Sequence, residues 1–500
     1  AVVLGGGMAG LLAARVLAGH FREVVVVERD LLPDGPAGRP GVPQGRHVHN
    51  LLARGRRILE ALFPGLDEDL AAAGAPAVDW GLDARLFFFG GWKPRFRSGI
   101  VTRTCSRELL EWAVRRRLAA HRNVRFVAGQ EATGLVADAG GRAVAGVRLR
   151  ARVAGARGAP GGESLPPGGS LGVASGVASG EEALSAALVV DASGRDSRAP
   201  RWLAALGFDE PEETAVTSFV GYASRLYARP AGAPQDWRLL GISATPPAGR
   251  RGAYLVPLEG NRWLVTVAGA GGDYPPTDEA GFLDFLRGLP SPLLYQTIRK
   301  AQPLSPLSGY RRTENRRRHY ERLRRHPEGF VVLGDAACAF NPVYGQGMTV
   351  AALGATLLGD CLREQPPGPA GSGPDLTGLA GRFQRRLARR TGTAWLMATG
   401  EDLRYPTTRG GTQSRAERLF TRYLDRVLAA STLSAPVHGA FLEVVHLLRP
   451  PVSLLRPDVV ARVLLALLAV RHGSARRTVE RPGATQDGPG RGRLPAPQHP

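Results

Sequence analysis

The sequence predicts an α/β protein: a Rossmann-like dinucleotide-binding domain with an inserted antiparallel-sheet domain and a C-terminal helical region. Three observations predict it. An apolar strand, a glycine turn, a small-residue helix and a second apolar strand fill the first 30 residues. A strand leading into a glycine-rich loop and a helix returns near residue 330. Between them, from about 210 to 300, short runs alternate apolar and polar side chains, the period of a half-buried strand.

Val2 to Leu4 reads as the first strand, followed by Gly5-Gly6-Gly7-Met8-Ala9-Gly10, a GxGxxG on Gly5, Gly7 and Gly10. There Gly5 permits the tight turn, Gly7 lets the backbone approach a pyrophosphate, and Gly10 lets helix and strand pack closely. The helix that opens at Met8 and Ala9 points its free N–H groups at the phosphates, and Gly19 can end it. Val24 to Val27 is a continuous apolar run, as expected of a buried parallel strand. Glu28 ends it, placing a carboxylate where it can hold both ribose hydroxyls of an adenosine, with Arg29 beside it. A Gly/Pro loop (31–46) and a helix around 50–63 follow, then a helix capped by Ser106, with Arg107 in its first turn. Strands are expected near 123–128 and 143–150, joined by a short turn, and residues 151–180 form a mobile insertion of Gly, Ala, Ser and Pro.

The 210–300 segment offers runs at Val216 to Ser224 and Leu239 to Thr245, and a hairpin, Tyr254 to Leu258 with Trp263 to Ala268. Val216, Phe219, Leu240, Ile242, Leu255, Trp263 and Val265 are its large apolar positions, and the register decides which face a cavity. Phe330 to Leu333 is a further buried strand, and a helix is expected from about 346 to 363. Residues 380–470 read as helical and 478–500 as a disordered tail.

Composition narrows the function. Net charge is +21, but of 65 basic residues only Lys93 and Lys300 are lysines, leaving 63 arginines spread through every segment. That spread suggests a codon bias more than a nucleic-acid face, and the densest cluster, within 311–325, lacks interleaved aromatics beyond Tyr310 and Tyr320. His47 and His49 have no third ligand near them in sequence, so no metal is expected. There is no Gly-x-Ser-x-Gly elbow and no P-loop. Three scattered cysteines and an opening directly on an apolar strand lead to the expectation of a cytoplasmic protein. The helix at 458–470, flanked by Arg449, Arg456 and Arg471, is expected to pack over the rest of the fold more readily than to touch a membrane. Nothing in the sequence sets an oligomeric state.

The segment Leu333-Gly334-Asp335-Ala336-Ala337-Cys338-Ala339-Phe340-Asn341-Pro342-Val343-Tyr344-Gly345-Gln346-Gly347-Met348 resembles the Gly-Asp-Ala…Asn-Pro-x-x-Gly-x-Gly stretch of the para-hydroxybenzoate hydroxylase superfamily of FAD enzymes. Asp335, at a strand end, can accept from a polyol hydroxyl; Pro342, Gly345 and Gly347 make a loop against which a flat ring can lie. Asp191-Ala192-Ser193-Gly194-Arg195 stands where that superfamily has an Asp-Gly pair, but here Gly194 comes three residues after Asp191. It is similar to the form in flavin epoxidases and geranylgeranyl-reductase-like proteins, which keeps Asp191 beside the FAD and weighs against a part in NADPH docking. Arg107 matches the family's phosphate-binding arginine, and Pro43 to His49 resembles the segment beside its isoalloxazine, making Arg46 and His47 candidate gating residues.

From Ala1 to about Arg426 the order resembles a class A flavoprotein monooxygenase. Pro43 to His49, Thr104 to Arg107, Ala301 to Leu304, Asn315 to Arg317 and Asn341 to Gly345 look closest to the squalene-epoxidase-like flavin epoxidases of polyether pathways. Trp92 stands alone, without the Trp-x-Trp-x-Ile-Pro signature of flavin halogenases. The resemblance implies noncovalent FAD, held by Gly5, Gly7, Met8, Ala9, Gly10, Glu28, Arg29, Arg46, Arg107, Asp191, Gly334, Asp335, Pro342, Gly345, Gly347 and Met348. It implies reduction by NADPH or NADH, directly or through a separate reductase, and oxygen transfer from O₂ through a flavin C4a-hydroperoxide. The expected substrate is a large, apolar natural-product intermediate, epoxidised in preference to hydroxylated. The alternatives are an FAD-dependent reductase or dehydrogenase of an isoprenoid-like substrate and, behind it, a flavin- or lipid-binding module without turnover. The expected organisation is FAD-binding parts at 1–75, 106–209 and 301–379, a substrate-domain edge at 76–105, the substrate domain at 210–300 and C-terminal helices at 380–477.

Overall fold

Five parallel strands, in the order Phe330–Val332, Val189–Asp191, Val2–Leu4, Val24–Glu28 and Val124–Ala128, form the central sheet of the computed structural model. The structure describes residues 1–152, 180–233, 236–368 and 373–471; the expected tail, and the expected insertion apart from its flanks, lie outside them. Val3 sits between Val190 and Val26 at the centre of the sheet, which is why these strands read as unbroken apolar runs. Helices Met8–Leu17, Arg107–Ala119 and Gly347–Arg363 pack on it around a core that includes Leu11, Leu12, Val114 and Leu358. The approach of the first helix depends on Gly10: a Cβ there would lie 1.8 Å from the Gly5 carbonyl oxygen.

The inserted lobe is a seven-stranded sheet, in the order Ser308–Tyr310, Gly221–Ala228, Arg262–Gly269, Arg251–Leu258, Leu239–Ile242, Ala84–Phe88 and Gly91–Trp92. It is antiparallel except where Leu239–Ile242 runs parallel to Ala84–Phe88. Helices Glu279–Arg287 and Leu293–Ile298 cover one face, and their Phe282, Phe285 and Leu294 form a second core there with Leu240, Ile242, Leu255, Trp263 and Val265. The opposite face presents Leu86, Leu239, Val256 and Leu264.

Three local expectations are corrected. The run from Val216 to Ser224 is two strands in different sheets, Glu213–Val216 and Gly221–Ala228, separated by a turn with Phe219 at φ 51°. A third strand, Gln130–Ala137, lies between the two expected near 123–128 and 143–150 and pairs with Val144–Ala151. Helix Leu66–Ala72, started by Gly65 at φ 82°, was not expected. The C-terminal region is helical as read: Leu379–Asp402, Arg415–Ala430, Ala435–Val445 and Pro457–Arg471. The last helix turns Val459 and Val463 into a fourth core and leaves Leu464 and Leu465 exposed. Among the described residues no helix is long and apolar enough to cross a membrane.

Candidate functional site

A cleft of about 320 Å³ opens at the C-terminal ends of the parallel strands, between the N-termini of helices Met8–Leu17 and Gly347–Arg363. Of the sequence-predicted residues, Gly5, Gly7, Met8, Ala9, Glu28, Arg29, Arg107, Asp335, Pro342, Gly345, Gly347 and Met348 line it together. Gly5 turns at φ 102°, where a Cβ would meet the Ala192 carbonyl at 2.6 Å, so only glycine fits. Gly7 faces open space; the nearest atom to a Cβ there is an Arg39 nitrogen at 3.9 Å. No side chain caps either helix, so their first-turn N–H groups and positive dipole ends are available to an anion.

Glu28 is buried at the end of its strand, where Oε2 accepts from Gly6 N (2.7 Å) and pairs with Arg39 (2.8 Å), while Oε1 accepts from Asp30 N (3.0 Å). One acceptor position on Oε1 therefore stays open. Arg39, missed in the sequence, is the hub of this corner: it also pairs with Asp30 (3.3 Å) and Glu111 (2.7 Å), and Glu111 in turn holds Arg107 (3.0 Å). The signal was present, because Arg107 and Glu111 are four apart on the buried side of a helix and the strand-end acids needed a cation. Burial pushes the Glu111 carboxyl up, but Arg107 and Arg39 outweigh it and leave it below the usual value. Asp335 has no hydrogen-bond or ion-pair partner among the described residues; burial raises its carboxyl against the pull of Arg195, Arg107 and Arg316.

Five predicted residues do not line the cleft. Gly10 and Gly334 serve close packing: a Cβ on Gly334 would come 2.6 Å from Ala9 Cβ. Asp191 is fully buried, its carboxylate taken by Ser193 N (2.9 Å), Ser193 Oγ (2.5 Å) and Ser197 Oγ (2.5 Å), so it shapes the turn under Ala192 to Gly194 and has no face toward a ligand. Arg46 points to solvent. His47 is buried behind the cleft, with Nδ1 against Ser224 Oγ (2.7 Å) and its ring near Tyr310; burial, then Arg46, holds it neutral with a pKa of about 4.

Val48, Asn50, Pro342 and Gly345 form a wall common to this cleft and a second cavity of about 980 Å³. That cavity lies between the uncovered face of the inserted sheet (Leu86, Phe88, Leu239, Tyr254, Val256) and the C-terminal helices (Trp395, Phe420, Leu424, Leu442, Leu454). The sheet's register turns Leu240, Ile242, Leu255, Trp263 and Val265 to the other face, so of the apolar positions singled out in sequence Val216 lines the cavity. Among the described residues no arginine lines it, and Glu401 and Glu417 are its charged residues. Phe88 and Phe89 face in, whereas Phe87 meets Trp92 edge to face, with ring centroids 5.2 Å apart, in the sheet's covered core. Two buried acceptors, Asn50 Oδ1 in the common wall and Gln346 Oε1 beside it in the chamber lining, have no partner among the described residues.

The architecture is shared with solved flavoproteins. A flavoprotein/dehydrogenase from Cytophaga hutchinsonii superposes with a TM-score of 0.61 at 16% identity, covering 95% of this chain and 99% of that one. The myxobacterial FAD-dependent chondrochloren halogenase CndH gives 0.56 at 15%, covering 93% and 96%. PqsL of Pseudomonas aeruginosa, described as a probable FAD-dependent monooxygenase, gives 0.51 at 18%, covering 87% and 98%. The fold is thus that of the class A flavoprotein monooxygenases and the flavin-dependent halogenases. Within it, the chain belongs to the family of Protein Rv3254 of Mycobacterium tuberculosis (strain ATCC 25618 / H37Rv), to which it is 33% identical over 426 residues, 81% of this chain and 80% of that protein. No protein-family model matches the chain.

Proposed function

We propose that the protein is an FAD-dependent monooxygenase that inserts one oxygen atom from O₂ into a bulky, mostly apolar natural-product intermediate, with epoxidation favoured over hydroxylation. The observation that carries this reading is the junction of the two cavities: a glycine-turn cleft with carboxylates at two strand ends shares the wall of Val48, Asn50, Pro342 and Gly345 with a large apolar chamber that has no arginine among the described residues of its lining.

The residues present fit FAD. Glu28 and Asp335 keep free acceptor capacity for ribose and polyol hydroxyls, and Arg107 and the two helix N-termini suit the pyrophosphate. Asn50 and Gln346 supply acceptors for ring N–H groups at the wall, and Pro342, Gly345 and Gly347 leave room for a flat ring. When bound, FAD reduced by a nicotinamide cofactor supplies the activation of O₂. The chain's own part is to bind, orient and exclude water. The N-terminus of helix Gly347–Arg363 favours negative charge at the ring edge. Leu86, Val256, Trp395 and Phe420 desolvate the substrate, and among the described residues no side chain in the chamber offers a cation to grip a small acid.

Three measurements test this. Purified protein should be yellow or be reconstituted by FAD, and acid precipitation should release all the chromophore. Glu28→Ala should weaken FAD by roughly 1–3 kcal/mol, since a charged acceptor is lost. With NADPH or NADH, a polyene or polycyclic phenol should gain the mass of one oxygen atom; NADPH oxidation stimulated by small benzoates alone, with no product from any apolar compound, overturns the substrate assignment.

A further inference from the structure

We propose that Asp402 is a positioning residue of this site: from the end of helix Leu379–Asp402 it fixes the Asn341–Gly345 loop that carries the wall between cleft and chamber, and it sets the direction in which the Tyr344 hydroxyl donates. The interlock stands on hydrogen-bond geometry alone; its bearing on catalysis rests on the flavin reading.

Asp402 is 1% exposed and has no cation within ion-pair distance among the described residues, although the chain holds 63 arginines. Its partners are neutral donors. Oδ1 accepts from Tyr344 OH (2.6 Å) and Asn341 Nδ2 (3.3 Å), and Oδ2 accepts from Asn315 Nδ2 (2.6 Å). Neither amide can reverse. Asn315 Oδ1 accepts from Asn341 N (2.8 Å), while Asn341 Oδ1 accepts from Tyr222 OH (2.6 Å) and Val343 N (3.3 Å). Both amides are thus held with N–H toward the carboxylate, and the loop is tied at residues 341 and 344 to one buried group. Tyr344 lines the chamber, while Pro342 and Gly345 of the same loop line both cavities.

A proton taken up from solvent finds an acceptor at Tyr344. On Oδ2 it would face the Asn315 amide donor; on Oδ1 it can donate to the Tyr344 oxygen, whose own proton then swings away. Burial, with Glu401 nearby, brings this within reach by pushing the Asp402 pKa up to about 6, against the opposing donors Tyr344, Ser218 and Asn341. The titratable and charged groups around it are Glu401, Arg404 and Tyr405 near its own helix end, Tyr344 from the loop and Tyr222 from the sheet. Arg195, which binds the Phe340 carbonyl, approaches from the nucleotide side.

The test uses the full chain in four forms: wild type, Asp402→Asn, Asp402→Ala and Tyr344→Phe. In the FAD-loaded protein, the visible spectrum of bound flavin titrated from pH 5 to 8 should show one transition near pH 6 in the wild type. It should be absent in Asp402→Asn and moved to higher pH in Tyr344→Phe, because a donor to the carboxylate is lost. Without cofactor, hydrogen exchange of the 340–348 segment should be roughly tenfold faster in Asp402→Ala than in wild type, the mark of a loop released locally. A transition that survives in Asp402→Asn, or stays put in Tyr344→Phe, overturns the proposal, as does unchanged exchange in Asp402→Ala. If no form binds FAD, the flavin reading fails and hydrogen exchange alone decides the interlock; if Asp402→Ala does not fold, the titration of Asp402→Asn decides it.

Discussion

Arg39→Ala isolates the corner on which the cleft is built. The guanidinium sits 2.8 Å from Glu28, 3.3 Å from Asp30 and 2.7 Å from Glu111, and all four side chains are at most 7% exposed. Without it Glu111 keeps Arg107 and Asp30 keeps Arg152, whereas Glu28 keeps only the backbone N–H groups of Gly6 and Asp30. Breaking a buried ion pair costs about 3–5 kcal/mol, and the remaining partners hold this case to about 3. With an unfolding entropy of about 2 cal/mol/K per residue, a chain of this size unfolds with roughly 1 kcal/mol/K, so the midpoint should fall by about 3 °C. Differential scanning fluorimetry of the cofactor-free protein at pH 7 reads this directly. The sign with pH is fixed by Glu111, whose carboxyl is held below its usual value of 4.5. That stabilisation is complete above the unfolded value and is lost as pH falls through the folded one. The deficit of the variant should therefore be full at pH 7 and shrink toward pH 4. A midpoint within about 1 °C of wild type at pH 7, or a deficit that grows on acidification, refutes the reasoning.

Two further outcomes follow from the packing. Gly10→Ala puts a Cβ 1.8 Å from the Gly5 carbonyl and should yield little folded protein, whereas Gly7→Ala meets nothing nearer than 3.9 Å and should fold while binding FAD more weakly; equal soluble yields in expression trials would contradict this. Ala244→Phe narrows the apolar chamber from the sheet side and should slow oxygenation of the longest polyenes more than that of shorter ones in a kcat/KM comparison.

How much was legible in the sequence depends on how local the determinant is. The glycine turn, Glu28 and the Asp335-to-Met348 loop are each short segments whose chemistry is set by their neighbours in the chain, and they meet in the cleft. Parallel strands announce themselves because both faces are covered. In the inserted sheet a single residue of register decides the face, so Leu240 and Leu255 were as plausible for the chamber as Leu239 and Val256. Asp191 matched a pattern, but two serines within six residues take its carboxylate. The far wall of the chamber could not be read: Trp395, Phe420 and Leu454 look like ordinary core residues until the helices that carry them are seated. Asp402 is likewise one acid at a helix end until loop and sheet bring it Asn341, Tyr344 and Asn315.

The walls of the two cavities are drawn from Leu4 through to Leu454, which gives their construction a timetable during synthesis. The first strand leaves the ribosome long before Val189–Asp191, its partner on one side, and the cleft is not closed until Gly347 and Met348 have appeared. Arg415 to Leu454 arrive last, seconds later at a translation rate of about 5–20 residues per second. For that interval the parallel-sheet unit stands finished on its cleft side and roofless on its chamber side. The half-made chain therefore shows its uncovered sheet face, Leu86, Leu239 and Val256, to the cell before the helices that cover it exist, and this is the surface on which a chaperone would find work.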